Sequence, residues 1–182
     1  MKLTNGDNMI QALLNKVATD NIKTVIGALL ICLTTQITIP LEPVPITLQT
    51  MSVLLIGLTY PTNIAVRSIL LYLMIGFAGA PVFAGNKAGI AVLFGPTAGY
   101  LVGFVACVYC MSMIRTKYNS NTVSSMFVQS ILGNIIIFIF GVGVLATHIG
   151  IHQAINLGFL PFIIPGIVKS IILILSVRYV KR

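Results

Sequence analysis

The sequence predicts an all-α integral membrane protein that crosses the bilayer six times in a single membrane domain, residues 1–182. Hydrophobic residues make up 57% of the chain and charged residues only 8%, which is typical of a protein embedded in lipid. Apolar stretches recur along the chain at lengths near the ~20 residues that a helix needs to cross a bilayer. Six such spans use most of the 182 residues, so we expect no soluble catalytic module.

Residues 1–21 are more polar and predict a cytoplasmic or interfacial segment ahead of the bundle, residues 22–182. Apolar residues recur there on one side of a helical period: Met9, Ile10, Leu13, Leu14, Val17 and Ala18. This pattern is typical of a helix on the membrane surface, and a frayed tail is the alternative. The first span, 22–39, is followed by no cleavage pattern, so we expect it to be retained rather than removed as a signal peptide.

The other predicted spans are 47–60, 62–79, 96–114, 122–147 and 161–180. Counted alternately, the spans place nearly all the basic residues at or beyond their ends on one side of the membrane: Lys2, Lys16, Lys23, Arg67, Arg115, Lys117, Arg178, Lys181 and Arg182. Only Lys87 falls on the other side. Positive charge favours the cytoplasmic side, so both termini are expected in the cytoplasm. These charges are scattered at helix ends, which indicates membrane anchoring and no nucleic-acid partner.

Three connections are then expected on the outer side: 40–46, 80–95 and 148–160. The first has three prolines in seven residues, which favours a stiff lid or a tight connector. Residues 76–103 contain seven glycines and two prolines. Non-helical backbone at membrane depth must be buried in protein or line a cavity, so this stretch predicts part of a binding pocket.

Candidate ligand contacts follow from this placement. Asn86 offers hydrogen-bond donors and an acceptor, and Phe83 offers an apolar face. Glycines such as Gly85 let a ligand approach the backbone closely. The alternative is a solvated loop in which Asn86 is a turn residue. Lys169 is the one charged residue well inside a late span, where a charge costs ~2.5–3.5 kcal/mol. We interpret it as an ammonium facing the pocket, with snorkelling to the interface as the alternative.

Small residues recur every four positions in two places. Gly95, Gly99 and Gly103 predict a face packed inside the bundle, because small residues let helices approach closely. Thr24, Ala28 and Cys32 form a similar face in the first span. That face is compatible with packing inside the bundle or against a membrane partner.

Other chemistries find little support in the residues. Cys107 and Cys110 have no second pair of ligands, and His148 and His152 have no nearby acid, so no metal site is expected. No catalytic residues are predicted for the same reason. The sequence has no GxxxxGK[ST] phosphate loop, so active transport would need an ATPase partner. A stand-alone carrier or channel and an intramembrane enzyme are the less favoured alternatives.

Four segments together resemble the BioY family, the substrate-binding membrane subunits (S components) of energy-coupling factor (ECF) biotin transporters. They are IPLEPVPITLQT at 39–50, YLMIGFAGAPVFAG at 72–85, LFGPTAGYLVGF at 93–104 and PFIIPGIVK at 161–169. The resemblance implies a six-helix bundle of ECF S-component type in a prokaryotic plasma membrane, which binds biotin near the outer face. It also implies a membrane coupling protein and two ATPase subunits as partners, with no cofactor of its own.

The resemblance further implies polar ligand contacts at Asn86 and Lys169 and docking to the coupling protein through Thr24, Ala28 and Cys32. The apolar part of the ligand is expected against Phe83, Phe77 and Tyr100. Family members commonly carry an aspartate where this chain has Gly166. Asn86, Thr97, a backbone carbonyl or a water is expected to replace that acceptor; otherwise the ligand is a related carboxylate such as dethiobiotin or lipoate.

Overall fold

The computed structural model describes residues 5–118 and 122–180, without the side chains of residues 5–8, 10 and 180. Within this part the chain is almost entirely helical: α1 Asn5–Thr35, α2 Gln49–Thr59, α3 Thr62–Phe77, α4 Ala98–Tyr118, α5 Val123–Ile149, α6 Ile151–Gly158 and α7 Leu160–Val180. Two short strands, β1 Thr38–Ile39 and β2 Ile46–Thr47, and two 3-10 helices, Ala84–Asn86 and Ile90–Phe94, occupy the connections.

Each predicted span corresponds to an α-helix. The lengths and composition of these helices support a multi-pass membrane protein. Four segments are long and apolar enough to cross a bilayer: Gln11–Thr35, Ala98–Tyr118, Val123–Ile149 and Ile151–Tyr179. The helices α2 and α3, with 11 and 16 residues, are shorter than a full crossing. Six crossings therefore remain a prediction.

The N-terminal segment differs from the prediction. It joins the first span in one helix of 31 residues, about 46 Å long at 1.5 Å per residue. The segment contains no proline, so nothing in it forces the helix to stop before the first span. The segment is therefore not a separate helix from residue 5 onward, and its cytoplasmic or interfacial location stays a prediction. Lys2, Lys181 and Arg182 lie outside the described residues.

The proline-rich connection is a short hairpin. Its two strands pair antiparallel, with Thr38 opposite Thr47 and Ile39 opposite Ile46, so the predicted first span ends too late. The tip turns inward, because Val44 is only 5% exposed and Pro45 contacts the cavity described below. This places the segment over the cavity, as expected for a lid.

The third connection, predicted as a loop, contains the eight-residue helix α6. Gly150, with φ of 81°, separates α5 from α6, because this backbone conformation ends the first helix and suits glycine. The hydroxyl of Tyr100 donates to the carbonyl of Gly158 at 2.8 Å, which ties α6 to α4. Nε2 of His148 lies 3.1 Å from the carbonyl of Phe94, so the second and third connections meet at one end of the bundle.

The predicted glycine face is confirmed for two of its three members. Gly99 and Gly103 place α4 against α5: a Cβ at Gly99 would collide with the carbonyl oxygen of Phe140, and one at Gly103 would lie 3.0 Å from Cα of Ile137. Gly95 precedes α4 and takes no part in this helix contact. The close approach fixes the position of α4 relative to α5.

The small face of α1 packs inside the bundle, mainly against α3. Ala28 has no exposed surface, and a Cβ at neighbouring Gly27 would lie 2.6 Å from Oγ of Ser68 on α3. In this arrangement Ala28 is covered by the bundle itself, and docking to a partner through it stays a prediction. Thr24 and Cys32 are half-buried, and docking through them stays a prediction.

Candidate functional site

The main cavity lies where the lid, the glycine-rich connection and four helices meet. It contains about 800 Å³ of space free of atoms, its mouth included. The lining comprises Val44, Pro45 and Thr47 of the hairpin, Gln49 and Thr50 of α2, Phe83, Ala84, Lys87, Val92 and Thr97 of the connection, Tyr100, Leu101 and Phe104 of α4, Asn134, Ile137 and Phe138 of α5, and Phe162, Gly166 and Lys169 of α7. Apolar walls with a few polar groups suit a small, partly apolar molecule.

Lys169 is half-buried and reaches into this cavity from α7. Its Nζ donates to the carbonyl oxygen of Thr47 at 2.6 Å and to Oγ1 of Thr50 at 3.1 Å. These bonds attach α7 to the base of the lid and to the first turn of α2. An ammonium has three N–H donors, so one remains for a ligand.

The charge of Lys169 is not neutralised by a carboxylate of the cavity. The chain has three acidic residues, of which Asp20 and Glu42 lie outside the lining. The side chain of Asp7, the third, is not among those described. Because a buried charge is costly without a counter-charge, this part of the cavity favours an anionic group or a strongly polar carbonyl oxygen.

Phe83 lines the cavity beside the glycine-rich connection, and two further aromatic rings pack against it. Phe83 is 2% exposed, its ring 5.5 Å from Tyr72 in an edge-to-face arrangement and 5.3 Å from Phe77. A Cβ at Gly76 would collide with the Phe83 ring, so glycine at 76 is what lets this ring reach the cavity. Phe77 packs behind Phe83 and does not line the cavity, although its contact with the ligand was predicted.

Tyr100 and Thr97 also line the cavity. The Tyr100 ring packs on Gly141 of α5, where a Cβ would collide with it, and its hydroxyl is held by Gly158. Thr97 lies just before α4, where the glycine-rich connection ends. Of the predicted ligand contacts, Phe83, Thr97, Tyr100 and Lys169 thus come together around one space.

Asn86 and Gly85 lie outside that space. The N–H of Phe83 donates to the carbonyl of Lys87 at 3.1 Å, which closes a tight turn with Gly85 and Asn86 at its exposed tip. Both tip residues have positive φ, 71° and 56° respectively. Ligand binding by Asn86 stays a prediction, since the turn holds this residue at the exposed tip and outside the lining.

Several residues of the lining were not anticipated from the sequence. Lys87 was interpreted only as an outer charge, yet it lines the cavity and is exposed at its mouth. Asn134 reaches the cavity from α5, and Gln49 donates from Nε2 to the Tyr72 hydroxyl at 2.8 Å. A polar residue within an apolar span was the available signal for Asn134. Gln49 carried a weaker signal, because it lies at the start of its predicted span beside two other polar residues, Thr47 and Thr50.

Residues 7–182 match the family model described as the BioY family. The chain belongs to the BioY family. It is 38% identical over 146 residues to the probable biotin transporter BioY of Pyrococcus horikoshii, which covers 79% of this chain and 86% of that one. It is 35% identical over 163 residues to the probable biotin transporter BioY of Rickettsia prowazekii, and the match covers 90% of this chain and 84% of that one.

The similarity extends to the fold. A crystal structure of the S component for biotin from an ECF-type ABC transporter superimposes with a TM-score of 0.84 and 22% sequence identity, over 99% of this chain and 95% of that one. The biotin transporter BioY of Thermotoga maritima is 34% identical over 162 residues, and the match covers 88% of this chain and 95% of that one. This BioY chain therefore has an S-component fold along nearly its whole length.

Proposed function

We propose that this protein is the biotin-binding S component of an ECF-type transporter in a prokaryotic plasma membrane. The observation that carries the proposal is Lys169, whose ammonium lies in an apolar cavity with one donor unused and no carboxylate of the lining beside it. Biotin offers a strongly polar ureido carbonyl, an apolar bicyclic body and a carboxylate. Membership of the BioY family and the names of the relatives support the same ligand.

The two cations of the lining support one orientation of the ligand. Lys169 belongs to the transmembrane helix α7, whereas Lys87 lies in the exposed connection at the mouth. In this orientation the ureido carbonyl accepts from Lys169, the bicyclic body packs against Phe83 and Tyr100, and the terminal carboxylate meets Lys87. Dethiobiotin shares the ureido group and the carboxylate and is the alternative ligand, whereas lipoate shares only the carboxylate.

The proposed topology has six crossings with both termini in the cytoplasm, so that the mouth of the cavity faces outward. The asymmetry of basic residues supports this orientation. A cysteine introduced at exposed Ile90 is expected to react with a membrane-impermeant thiol reagent in intact cells, and one at exposed Thr116 is not. The reverse labelling pattern would contradict the orientation.

The proposed partners are an ECF coupling protein and two ATPase subunits, which would supply the energy for release of the ligand into the cell. The test is uptake of labelled biotin by biotin-auxotrophic cells that express the chain with or without such a module. We expect ATP-dependent accumulation only when both are present. Equal accumulation without any ATPase module would instead indicate a stand-alone carrier.

A further inference from the structure

The amide of Asn134 has a fixed orientation within the bundle. Its Nδ2 donates to the carbonyl oxygen of Ser130 at 2.9 Å and to Oγ of Ser170 at 3.2 Å. The carbonyl can only accept, so the nitrogen of the amide must be on that side. The hydroxyl of Ser170 donates onward to the carbonyl of Gly166 at 2.8 Å, which leaves its oxygen free to accept from Asn134.

This orientation leaves Oδ1 of Asn134 as an acceptor without a donor among the described residues. Both N–H groups of the amide are used, and Oδ1 lies beside Gly166, where a Cβ would be 3.7 Å away. Asn134 and Gly166 both line the cavity. The missing side chain at 166 leaves a gap beside Oδ1, and this gap borders the cavity as well as an open apolar groove that Ile135 and Ile163 also line.

Lys169 supplies the complementary group on the same side of the cavity. It follows Gly166 by three residues on α7, so the two positions share a face of that helix. The cavity thus presents a donor from Lys169 and an acceptor from Asn134. A cyclic urea or an amide, with a carbonyl oxygen next to an N–H, has the matching pattern.

We propose that Oδ1 of Asn134 accepts a hydrogen bond from an N–H of the ligand while Lys169 donates to the adjacent carbonyl oxygen. This inference rests on the proposed biotin-binding function and assigns the acceptor for one of the two ureido N–H groups. Asn134 is half-buried, and a bound ligand would exclude water from Oδ1. The oxygen then selects for a ligand with a donor, because a ligand without one leaves it unsatisfied. Asn134 is therefore a determinant of specificity for ureido compounds over lipoate, which has no N–H.

The test is a titration of the purified full-length protein with biotin and with two analogues, each methylated on one ureido nitrogen. Asn134→Leu is expected to weaken biotin binding about fivefold or more. In this variant the penalty for methylation should shrink by a similar factor for one analogue and stay unchanged for the other, since only one nitrogen faces Asn134. Asn63→Leu, the same change at an exposed position of α3, should bind like the wild type.

A second variant separates ligand contact from support of the bundle. Asn134→Leu combined with Gly166→Asp places an acceptor on the facing helix near the lost oxygen. We expect the dissociation constant for biotin to return to within about threefold of the wild type. If Asn134→Leu does not fold, Gly166→Val fills the gap beside Oδ1 without removing the hydrogen bonds of Asn134, and weaker biotin binding is expected.

The outcomes also separate this inference from the proposed function. Wild-type affinity for biotin in folded Asn134→Leu, or equal effects of that variant on both methylated analogues, would overturn the role of Asn134 alone. A folded wild-type protein that binds lipoate but neither biotin nor dethiobiotin, or that binds none of the three, would contradict the proposed function and this inference together.

Discussion

Lys169 is a cation held inside an apolar cavity by two protein acceptors, the Thr47 carbonyl and the Thr50 hydroxyl. Both acceptors are neutral, so the positive charge persists in the cavity. Placing an uncompensated charge there costs free energy that a bound oxygen acceptor can recover. A residue of this kind is better explained by ligand binding than by stability.

Lys169→Met keeps most of the apolar stem and removes the ammonium. We expect biotin to bind at least about tenfold more weakly, because hydrogen bonds to charged groups contribute ~1.5–3 kcal/mol. Calorimetric titration of the purified variant measures the change, and Lys23→Met on the exposed face of α1 is the matched control. Unchanged affinity in folded Lys169→Met would remove this residue from the site.

Lys87→Gln tests the proposed orientation of the ligand. If the carboxylate of biotin meets Lys87 at the mouth, the variant should bind biotin several-fold more weakly, a modest effect because the lysine is exposed to solvent. The amide derivative of biotin has no charge at that end, so its affinity should be the same for variant and wild type. Equal losses for both ligands in a titration would argue against this orientation.

At the residue scale, the sequence predicts a functional role for side chains whose chemistry conflicts with their surroundings. Lys169 is such a case, because a lysine in an apolar span needs a reason. The sequence does not predict which face of the turn after Phe83 points inward, since a single hydrogen bond between Phe83 and Lys87 turns Asn86 outward. Asn134 was missed because its role depends on Gly166 of another helix.

The contact between α4 and α5 depends on two glycines and determines one wall of the cavity. Gly99 and Gly103 bring the two helix backbones together, while Tyr100, between them, projects toward the cavity and packs on Gly141. A shift of α4 would therefore move Tyr100 and Phe104 with it. This contact is a case in which packing between elements positions the binding site.

Gly99→Val is expected to destabilise the protein by on the order of 3 kcal/mol, because the new Cβ would collide with the backbone carbonyl of Phe140. Gly143→Ala is the matched control on α5, since a Cβ there meets nothing within 4 Å. Thermal unfolding in detergent should show a lower midpoint for the first variant and an equal or higher midpoint for the second. Equal midpoints for Gly99→Val and the wild type would contradict the close packing.

Ala28→Trp is expected to destabilise the bundle and to weaken biotin binding together with uptake. Ala28 has no exposed surface, so the larger ring has to displace neighbouring side chains. Leu29→Trp is the control, because Leu29 is exposed on the same helix. Thermal unfolding and titration check both variants. Full stability and binding with lost uptake in Ala28→Trp would instead support Ala28 as part of the partner interface.

At the element scale, hydropathy locates the helices well, and local breaks are harder to predict. The first span and the segment before it form one helix because no proline separates them, although their polarities differ. α6 was missed because it is short and follows a glycine break. The hairpin was missed as a sheet because its strands are two residues each, too short to give an alternating pattern.

The whole molecule has an outer surface suited to lipid and an inner cavity suited to a polar ligand. Large apolar side chains remain exposed on several helices, among them Met74, Ile139 and Ile164 at 62%, 65% and 74%. In a soluble protein such residues would be unfavourable, whereas in a bilayer they contact acyl chains. The polar groups of the cavity are enclosed by the lid and by the glycine-rich connection.

Calorimetric titration of the purified wild-type protein with biotin, dethiobiotin and lipoate tests the central claim most directly. We expect biotin to bind tightly with a stoichiometry of one, dethiobiotin to bind more weakly because it lacks the second ring, and lipoate to bind weakest because it has no ureido group. A folded protein that binds lipoate in preference to both ureido compounds, or that does not bind biotin, would contradict the proposed function.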